Sequence, residues 1–232
     1  MPTATQVAMK AIAAPFANAA HPAGHPAGAD DHARATVGYY DSNALVYAHS
    51  TRGPALAREL ERFAAALSRG ARVLDLGCGG GRDLIALGEA GLRPIGLDIS
   101  PALAGIAQNV SGCLVVVADL RDPPFEDRTF DGIWASASLL HLSRTDLPGT
   151  LRRLYGLLRP GGQLFASVKA GDGEECAPDG RWFTYFGPAE WRGFLNSAGF
   201  SNIEVEVQDP GQATRSSSGD TRPWIQSFAS AL

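Results

Sequence analysis

Polar and apolar positions divide the chain into a tail and a body. From Arg34, the apolar residues Val37, Tyr40, Ala44 and Tyr47 recur at helical spacing, which predicts an amphipathic helix over 34–48. Thr51-Arg52-Gly53-Pro54 breaks it. Pro54 then opens a second helix to about Leu67, with Leu56, Leu60, Phe63 and Leu67 on one face. From Ala71 onward, short β-branched runs alternate with helical stretches. Strands are predicted at 72–76, 93–97, 113–118, 130–135, 163–168 and 203–207, with a last one in 221–229. Helices are predicted at about 82–90, 101–109, 144–158 and 188–198. Such alternation implies parallel strands, right-handed crossovers and helices on both faces of the sheet. Leu158-Arg159-Pro160-Gly161-Gly162 is a sharp helix stop that feeds the fifth strand.

Residues 1–33 are different. They are rich in Ala and Pro and carry a tandem His-Pro-Ala-Gly, His21 to Gly24 and His25 to Gly28. Nothing there can bury a large face, and each Pro opposes a helix, so a disordered extension is expected. A signal peptide is the competing reading, but Pro15 interrupts the short apolar patch that follows Lys10. His21 and His25 are four apart, yet the prolines keep them off a regular helix.

Composition narrows the classes. The chain has 232 residues, so removing the tail leaves one α/β domain over 34–232. No apolar run is long enough for a membrane span. Lys plus Arg number 20 against 24 Asp plus Glu, so no global positive field attracts nucleic acid or anionic lipid. Cys78, Cys113 and Cys176 form no Cys-x-x-Cys, which argues against a disulfide framework and a zinc site and fits a cytoplasmic protein. Gly, at 27 residues, is in excess, and its location is informative.

Val73-Leu74-Asp75-Leu76-Gly77-Cys78-Gly79-Gly80-Gly81-Arg82-Asp83 runs from a buried strand through a glycine loop into a helix. Glycines let the backbone turn tightly and approach a ligand, and the helix N-terminus offers free N–H groups. A dinucleotide fold wants G-x-G-x-x-G, but position 82 is Arg. The second strand ends in Gly96-Leu97-Asp98-Ile99-Ser100, with Asp98 17 residues past Gly81. A carboxylate there suits a pair of ribose hydroxyls. Ser100 before Pro101 reads as the cap of the next helix. The third strand ends in Ala118-Asp119-Leu120, so Asp75, Asp98 and Asp119 all stand at carboxyl ends of strands, where open α/β sheets bind ligands.

The G-x-G-x-G spacing with Asp75 two residues earlier resembles motif I of class I S-adenosylmethionine-dependent methyltransferases. Phe130-Asp131-Gly132-Ile133-Trp134 and Leu158 to Gly162 extend the resemblance. Tyr39-Tyr40-Asp41, Ala135 to Leu142 and Gly180 to Tyr185 look like small bacterial stand-alone members, often labelled tellurite-resistance-type. The resemblance implies a Rossmann-like doubly wound sheet of seven strands, mostly parallel with the last antiparallel. It implies methyl transfer from S-adenosylmethionine to a small-molecule acceptor. Asp75 would then position the cofactor's amino-acid end. Asp119 would bond the adenine amino group and the Leu120 N–H would read the ring. Gly77, Cys78, Gly79, Gly81, Ile99 and Ala135 complete the expected cofactor contacts. A non-catalytic cofactor-binding module and, against Arg82, an NAD-dependent oxidoreductase are the alternatives.

For the acceptor side, His141 sits in the loop after the fourth strand with a side chain suited to proton transfer. It reads as a general base, or as a half-buried histidine bonding a backbone carbonyl. After the fifth strand, Lys169 is followed by Gly171-Asp172-Gly173-Glu174-Glu175, expected as a flexible acidic loop. Arg181, Trp182 and Tyr185 come next, among aromatics that can wall a pocket for a small acceptor or pack the following helix. Lys169 and Arg181 suit an acceptor carboxylate. Tyr39 belongs with the acceptor contacts, and Tyr40 and Tyr47 close over the cofactor. Residues 34–68 then form a helical cap and 169–187 a substrate-side insertion, too little for a nucleic-acid docking domain. Asp122-Pro123-Pro124-Phe125 resembles a base-modifying motif, but it follows the third strand rather than the fourth. Cys78, at a helix N-terminus, would favour a thiolate. The expected state is a monomer or homodimer.

Overall fold

The computed structural model describes residues 29–53, 56–208 and 221–232. The tandem His-Pro-Ala-Gly, His21, His25 and Pro54 lie outside the described residues. The chain enters through α1 (Ala29–Ser42), α2 (Ala44–Ser50) and α3 (Ala57–Ala65). It then alternates through β1 (Arg72–Leu76), α4 (Arg82–Glu89), β2 (Arg93–Asp98), α5 (Pro101–Ser111), β3 (Val115–Val117) and β4 (Phe130–Ser136). A single 3-10 turn, Leu139–His141, precedes α6 (Leu147–Leu157) and β5 (Leu158–Ala170). The remainder is β6 (Glu174–Cys176), β7 (Trp182–Phe186), α7 (Pro188–Ser197), β8 (Ser201–Gln208) and β9 (Trp224–Ser230).

The strands β3-β2-β1-β4-β5 pair in parallel in that order. The last strand, β9, runs antiparallel to both β5 and β8 and lies between them. These seven strands are the expected doubly wound sheet. The structure adds two more. β6 and β7 form an antiparallel hairpin, and β7 pairs in parallel with β5 at Lys169↔Tyr185 and Ala170↔Phe186. β4 leaves the same edge of β5 at Ser136↔Ser167, so the hairpin takes up that edge where β4 ends. This corrects the flexible loop expected at 171–175: Glu174 and Glu175 are strand residues, and Gly171 and Gly173 supply the turn before them.

Other boundaries moved for local reasons. α1 starts at Ala29, ahead of the expected start. The helix expected over 34–48 is interrupted at Asn43, where φ is −113° and ψ 13°. The Asn43 N–H and side-chain amide both donate to the Tyr39 carbonyl, at 3.0 and 2.9 Å. Ser100 caps α5 as expected, its hydroxyl accepting from the Leu103 N–H at 3.1 Å. Among the described residues no helix is long and apolar enough to cross a membrane.

The larger core packs α6 and α7 against one sheet face, around Phe130, Leu151, Leu154, Phe186 and Trp191. The opposite face carries α3 and α4, where Trp134 stacks on Phe165 at 4.0 Å and meets the edge of Phe63 at 5.3 Å. The Trp134 indole N–H donates to Asp83 Oδ2 at 2.9 Å. Arg82 grips the same buried carboxylate, Nε to Oδ1 at 2.6 Å and Nη2 to Oδ2 at 3.0 Å. The start of α4, and with it the end of the glycine loop, is thereby bolted to β4. Trp134→Phe removes one bond to a buried carboxylate and is expected to cost about 1.5–3 kcal/mol, read by urea denaturation.

Candidate active site

The glycine loop continues the β1–β2 pairing past the strand ends: the Gly77 and Cys78 N–H groups donate to the Leu97 carbonyl at 2.7 and 3.0 Å. Gly77 has φ +74°, and a Cβ there would lie 2.5 Å from Ser138 Cβ. Gly81 has φ +85°, and a Cβ there would lie 2.8 Å from Ala107 Cα on α5. Glycine is required at both positions, by conformation and by close approach. Next to the loop, Asp98 accepts from the Gly79 N–H through Oδ2 at 2.8 Å and from the Ser100 N–H through Oδ1 at 2.9 Å.

Asp75, Asp83 and Asp98 are buried together at the carboxyl end of the sheet. Burial, then the neighbouring Asp83 charge, pushes the Asp75 carboxyl well above its usual range. Burial also raises Asp98, against the N–H bonds it accepts. Asp75 Oδ2 has no hydrogen-bond partner, and neither has the buried Ser138 hydroxyl facing Gly77. A buried acid cluster with one open oxygen answers to a cation with hydrogen-bond donors. S-adenosylmethionine, with an ammonium and a sulfonium, fits that requirement. Cys78 departs from expectation: burial, then Asp75 and Asp98, pushes its thiol well up, so no thiolate is favoured. Asp119 is gripped by Arg121, whose Nε and Nη2 donate to Oδ2 at 2.9 and 2.6 Å and whose N–H donates to Oδ1 at 2.8 Å. Ile99 and Leu120 are half-buried at their strand ends. The Ala135 side chain lies in the core.

The first helices cover the loop. Tyr47 approaches Gly79, its Cε1 3.4 Å from where a Cβ would stand, and its ring meets Tyr40 edge-on at 5.0 Å. Tyr40 and His141 form a hydrogen bond of 2.9 Å through Nε2. His141 Nδ1 lies 2.6 Å from the Trp182 carbonyl oxygen, which can only accept. The Nδ1 therefore carries the proton, and Nε2 accepts from the Tyr40 hydroxyl. His141 bonds a backbone carbonyl, as one of its two sequence readings expects, and its Nε2 is engaged by the Tyr40 hydroxyl. Burial lowers its pKa to about 4, against the Trp182 carbonyl. Burial raises Tyr40 well above the usual phenol range and also raises Tyr47.

Trp182 stacks on His32 at 4.0 Å, and its backbone N–H donates to Thr36 Oγ1 at 2.9 Å. Arg181 is 5% exposed and packs on Tyr39, with its guanidinium carbon 4.4 Å from the ring centre. A small cleft of about 30 Å³ opens here, lined by His32, Arg121, His141, Leu142, Asp146 and Trp182. Tyr39, Tyr40, Tyr47, His141, Arg181 and Trp182 thus gather in one place. Lys169 and Tyr185 gather in another. The buried Lys169 ammonium donates to the Arg222 carbonyl at 3.2 Å and lies over Trp224, while the Tyr185 hydroxyl donates to Glu175 at 2.5 Å under Arg222. Pattern reading missed Ser138, Asp83, Thr36 and Asp41. Asp41 accepts from the Ser100 hydroxyl and from the Ala102 N–H at 3.2 Å, which docks α1 on the start of α5. Its only signal was its place in Tyr39-Tyr40-Asp41.

A glycine loop after β1, a carboxylate closing β2 and an antiparallel last strand beside β5 define the architecture of class I S-adenosylmethionine-dependent methyltransferases. The sequence profile described as "Methyltransferase domain" matches residues 47–205, and the chain belongs to that family. Uncharacterized methyltransferase sll0829 of Synechocystis sp. is 36% identical over 104 residues, covering 44% of this chain and 49% of that protein. Phosphoethanolamine N-methyltransferase 3 of Arabidopsis thaliana is 30% identical over 152 residues, covering 60% and 31%. The match spans less than half the length of either relative. Burkholderia thailandensis 1,6-didemethyltoxoflavin-N1-methyltransferase, solved with 1,6-didemethyltoxoflavin and S-adenosylhomocysteine bound, shares the fold at TM-score 0.70 and 24% identity, covering 94% of this chain and 98% of that one.

The raised carboxyls give binding a pH signature. A cationic ligand favours the ionised acids, so binding releases protons wherever Asp75 or Asp98 is still protonated. Affinity for S-adenosylmethionine is expected to rise with pH from about 4, the ordinary carboxyl value, toward neutrality. Calorimetry in buffers of different ionisation enthalpy reads the released protons.

Proposed function

We propose that this chain transfers a methyl group from S-adenosylmethionine to an N, O or S atom of a small-molecule acceptor by in-line displacement. The observation that carries the reading is the Tyr40–His141 hydrogen bond beside the glycine loop. S-adenosylmethionine, when bound, supplies an electrophilic methyl group on a sulfonium. Asp75 and the loop at Gly77, Cys78, Gly79 and Gly81 hold the amino-acid end. Asp98, with Ile99 beside it, takes the ribose hydroxyls. Leu120 and the Ala135 backbone border the adenine and the methyl group, with Asp119 presenting whatever lone pairs Arg121 leaves. Tyr40 and Tyr47 close the site against water, which orients the reactants and strengthens charge interactions inside.

His141 acts as the base for an acceptor that carries a proton. The Trp182 carbonyl fixes its tautomer and supports the imidazolium that forms. The acceptor's proton goes to Nε2, at the place the Tyr40 hydroxyl now fills, as the new methyl bond forms. Tyr39 and Trp182 wall the acceptor. Lys169 and Tyr185 act at the hairpin base, where an acceptor's far end would reach. Residues 34–68 serve as the cap and 169–187 as the acceptor-side insertion of a domain spanning 34–232. The acidic balance and the small cover support a small acceptor rather than a nucleic acid. Cysteine usage supports a cytoplasmic location, as a monomer or homodimer.

A methyl-transfer screen over small amines, thiols, phenols and carboxylates tests the reading. With any acceptor that reacts through a protonated atom, His141→Ala is expected to lower kcat by about 10²–10⁴. Affinity for S-adenosylmethionine should stay the same. Unchanged kcat would remove His141 from the reaction.

A further inference from the structure

Beside the Tyr40–His141 pair stands an enclosed cation. Arg181 carries its guanidinium carbon 4.4 Å from the Tyr39 ring centre, 5.1 Å from Phe183 and 5.9 Å from Tyr40. Its Nε and Nη2 both donate to Asp179 Oδ2, at 3.0 and 2.7 Å, and its backbone N–H donates to Asp179 Oδ1 at 3.1 Å. The fork that would grip an acceptor carboxylate is therefore engaged, and aromatic rings wall the rest. Arg181 also adjoins Trp182, whose carbonyl holds His141 Nδ1.

We infer that Arg181 is a positioning residue: its enclosed charge, next to the base, keeps His141 neutral with Nε2 open to accept a proton, and Asp179 partly offsets it. The asymmetry of the ion pair gives the sign. The Arg181 side chain is 6% exposed and the Asp179 side chain 35%. Water screens the acid more than the enclosed cation, so the net field at His141 is positive. A positive field disfavours imidazolium. The charged and titratable groups around His141 are Tyr40 and His32 from α1, Arg181 and Asp179 from the hairpin, Arg121 from the segment after β3, and Asp146 before α6. Burial lowers the His141 pKa most, against the Trp182 carbonyl; of the charges, Arg181 lowers it further and Asp179 raises it. Arg181 thereby trades base strength for readiness.

The catalytic consequence rests on His141 being the base, but its protonation can be read without any acceptor. In the full chain with 13C-labelled histidine, His141 is identified among five histidines by the signal lost in His141→Gln. Its titration is followed in wild type, Arg181→Lys, Arg181→Gln and Asp179→Asn. Arg181→Gln should raise the midpoint by at least about one pH unit. Arg181→Lys, which keeps the charge, should leave it near wild type, and Asp179→Asn should move it down. Equal midpoints in wild type and Arg181→Gln would overturn the inference. So would an equal rise in Arg181→Lys, which would trace the effect to packing. If Arg181→Gln does not fold, Asp179→Asn decides: a fall supports the inference, and an unchanged or higher midpoint overturns it. Absence of methyl transfer with these shifts present would refute the proposed reaction and leave the electrostatic assignment standing.

Discussion

Asp98 ends β2 with both carboxylate oxygens committed to backbone N–H groups, Gly79 on one side and Ser100 on the other. Those two bonds tie the glycine loop to the start of α5, so the loop's shape and the helix's entry angle are set by one side chain. Asp98 can hold that place only because the acids beside it are managed separately. Asp83 is neutralised by Arg82 and bonded by Trp134. Asp75 keeps an oxygen without a partner. Three buried carboxylates with one cation among them leave a residual charge requirement, and a positively charged ligand meets it.

The cap is built on the same frame. Asp41 reaches the Ser100 hydroxyl that caps α5, Tyr40 reaches His141 after β4, and Thr36 reaches the N–H of Trp182 on β7. α1 therefore touches the loops after β2 and β4 and the hairpin at once. Its location is an outcome of where those strands end rather than of its own composition. A single helix sets the ends of β2 and β4 and the hairpin in register with one another.

Much of this was legible in the residues. β1 is legible as Arg72–Leu76 from the short β-branched run that begins after Ala71, and α5 from the capped start that Ser100-Pro101 announces. The positions of Asp75, Asp98 and the glycines followed from spacing along consecutive strands. What escaped depends on partners far away in the chain. The β6–β7 hairpin carries aromatic residues suited equally to a pocket wall or a strand, and only the unusual length of β5 supplies an edge for it. The Cys78 thiol was misjudged because a helix N-terminus acts at short range, whereas burial beside two carboxylates outweighs it. Ser138 carries no signature of its own and becomes notable only because Gly77 passes against it. The break at Asn43 is one residue's departure from helical dihedrals, below the reach of periodicity.

The hairpin joins β5 through just two residue pairs, Lys169↔Tyr185 and Ala170↔Phe186. Its other strand, β6, pairs only with β7 along the path of the sheet. The seam with β5 is a backbone contact, and the hairpin's place is fixed further by bonds from the Trp182 backbone to Thr36 and His141 and from the Tyr185 carbonyl to Arg144. The hairpin is thus an edge addition whose position is shared with α1 and the turn after β4, so a shift in any one of the three is felt by the other two.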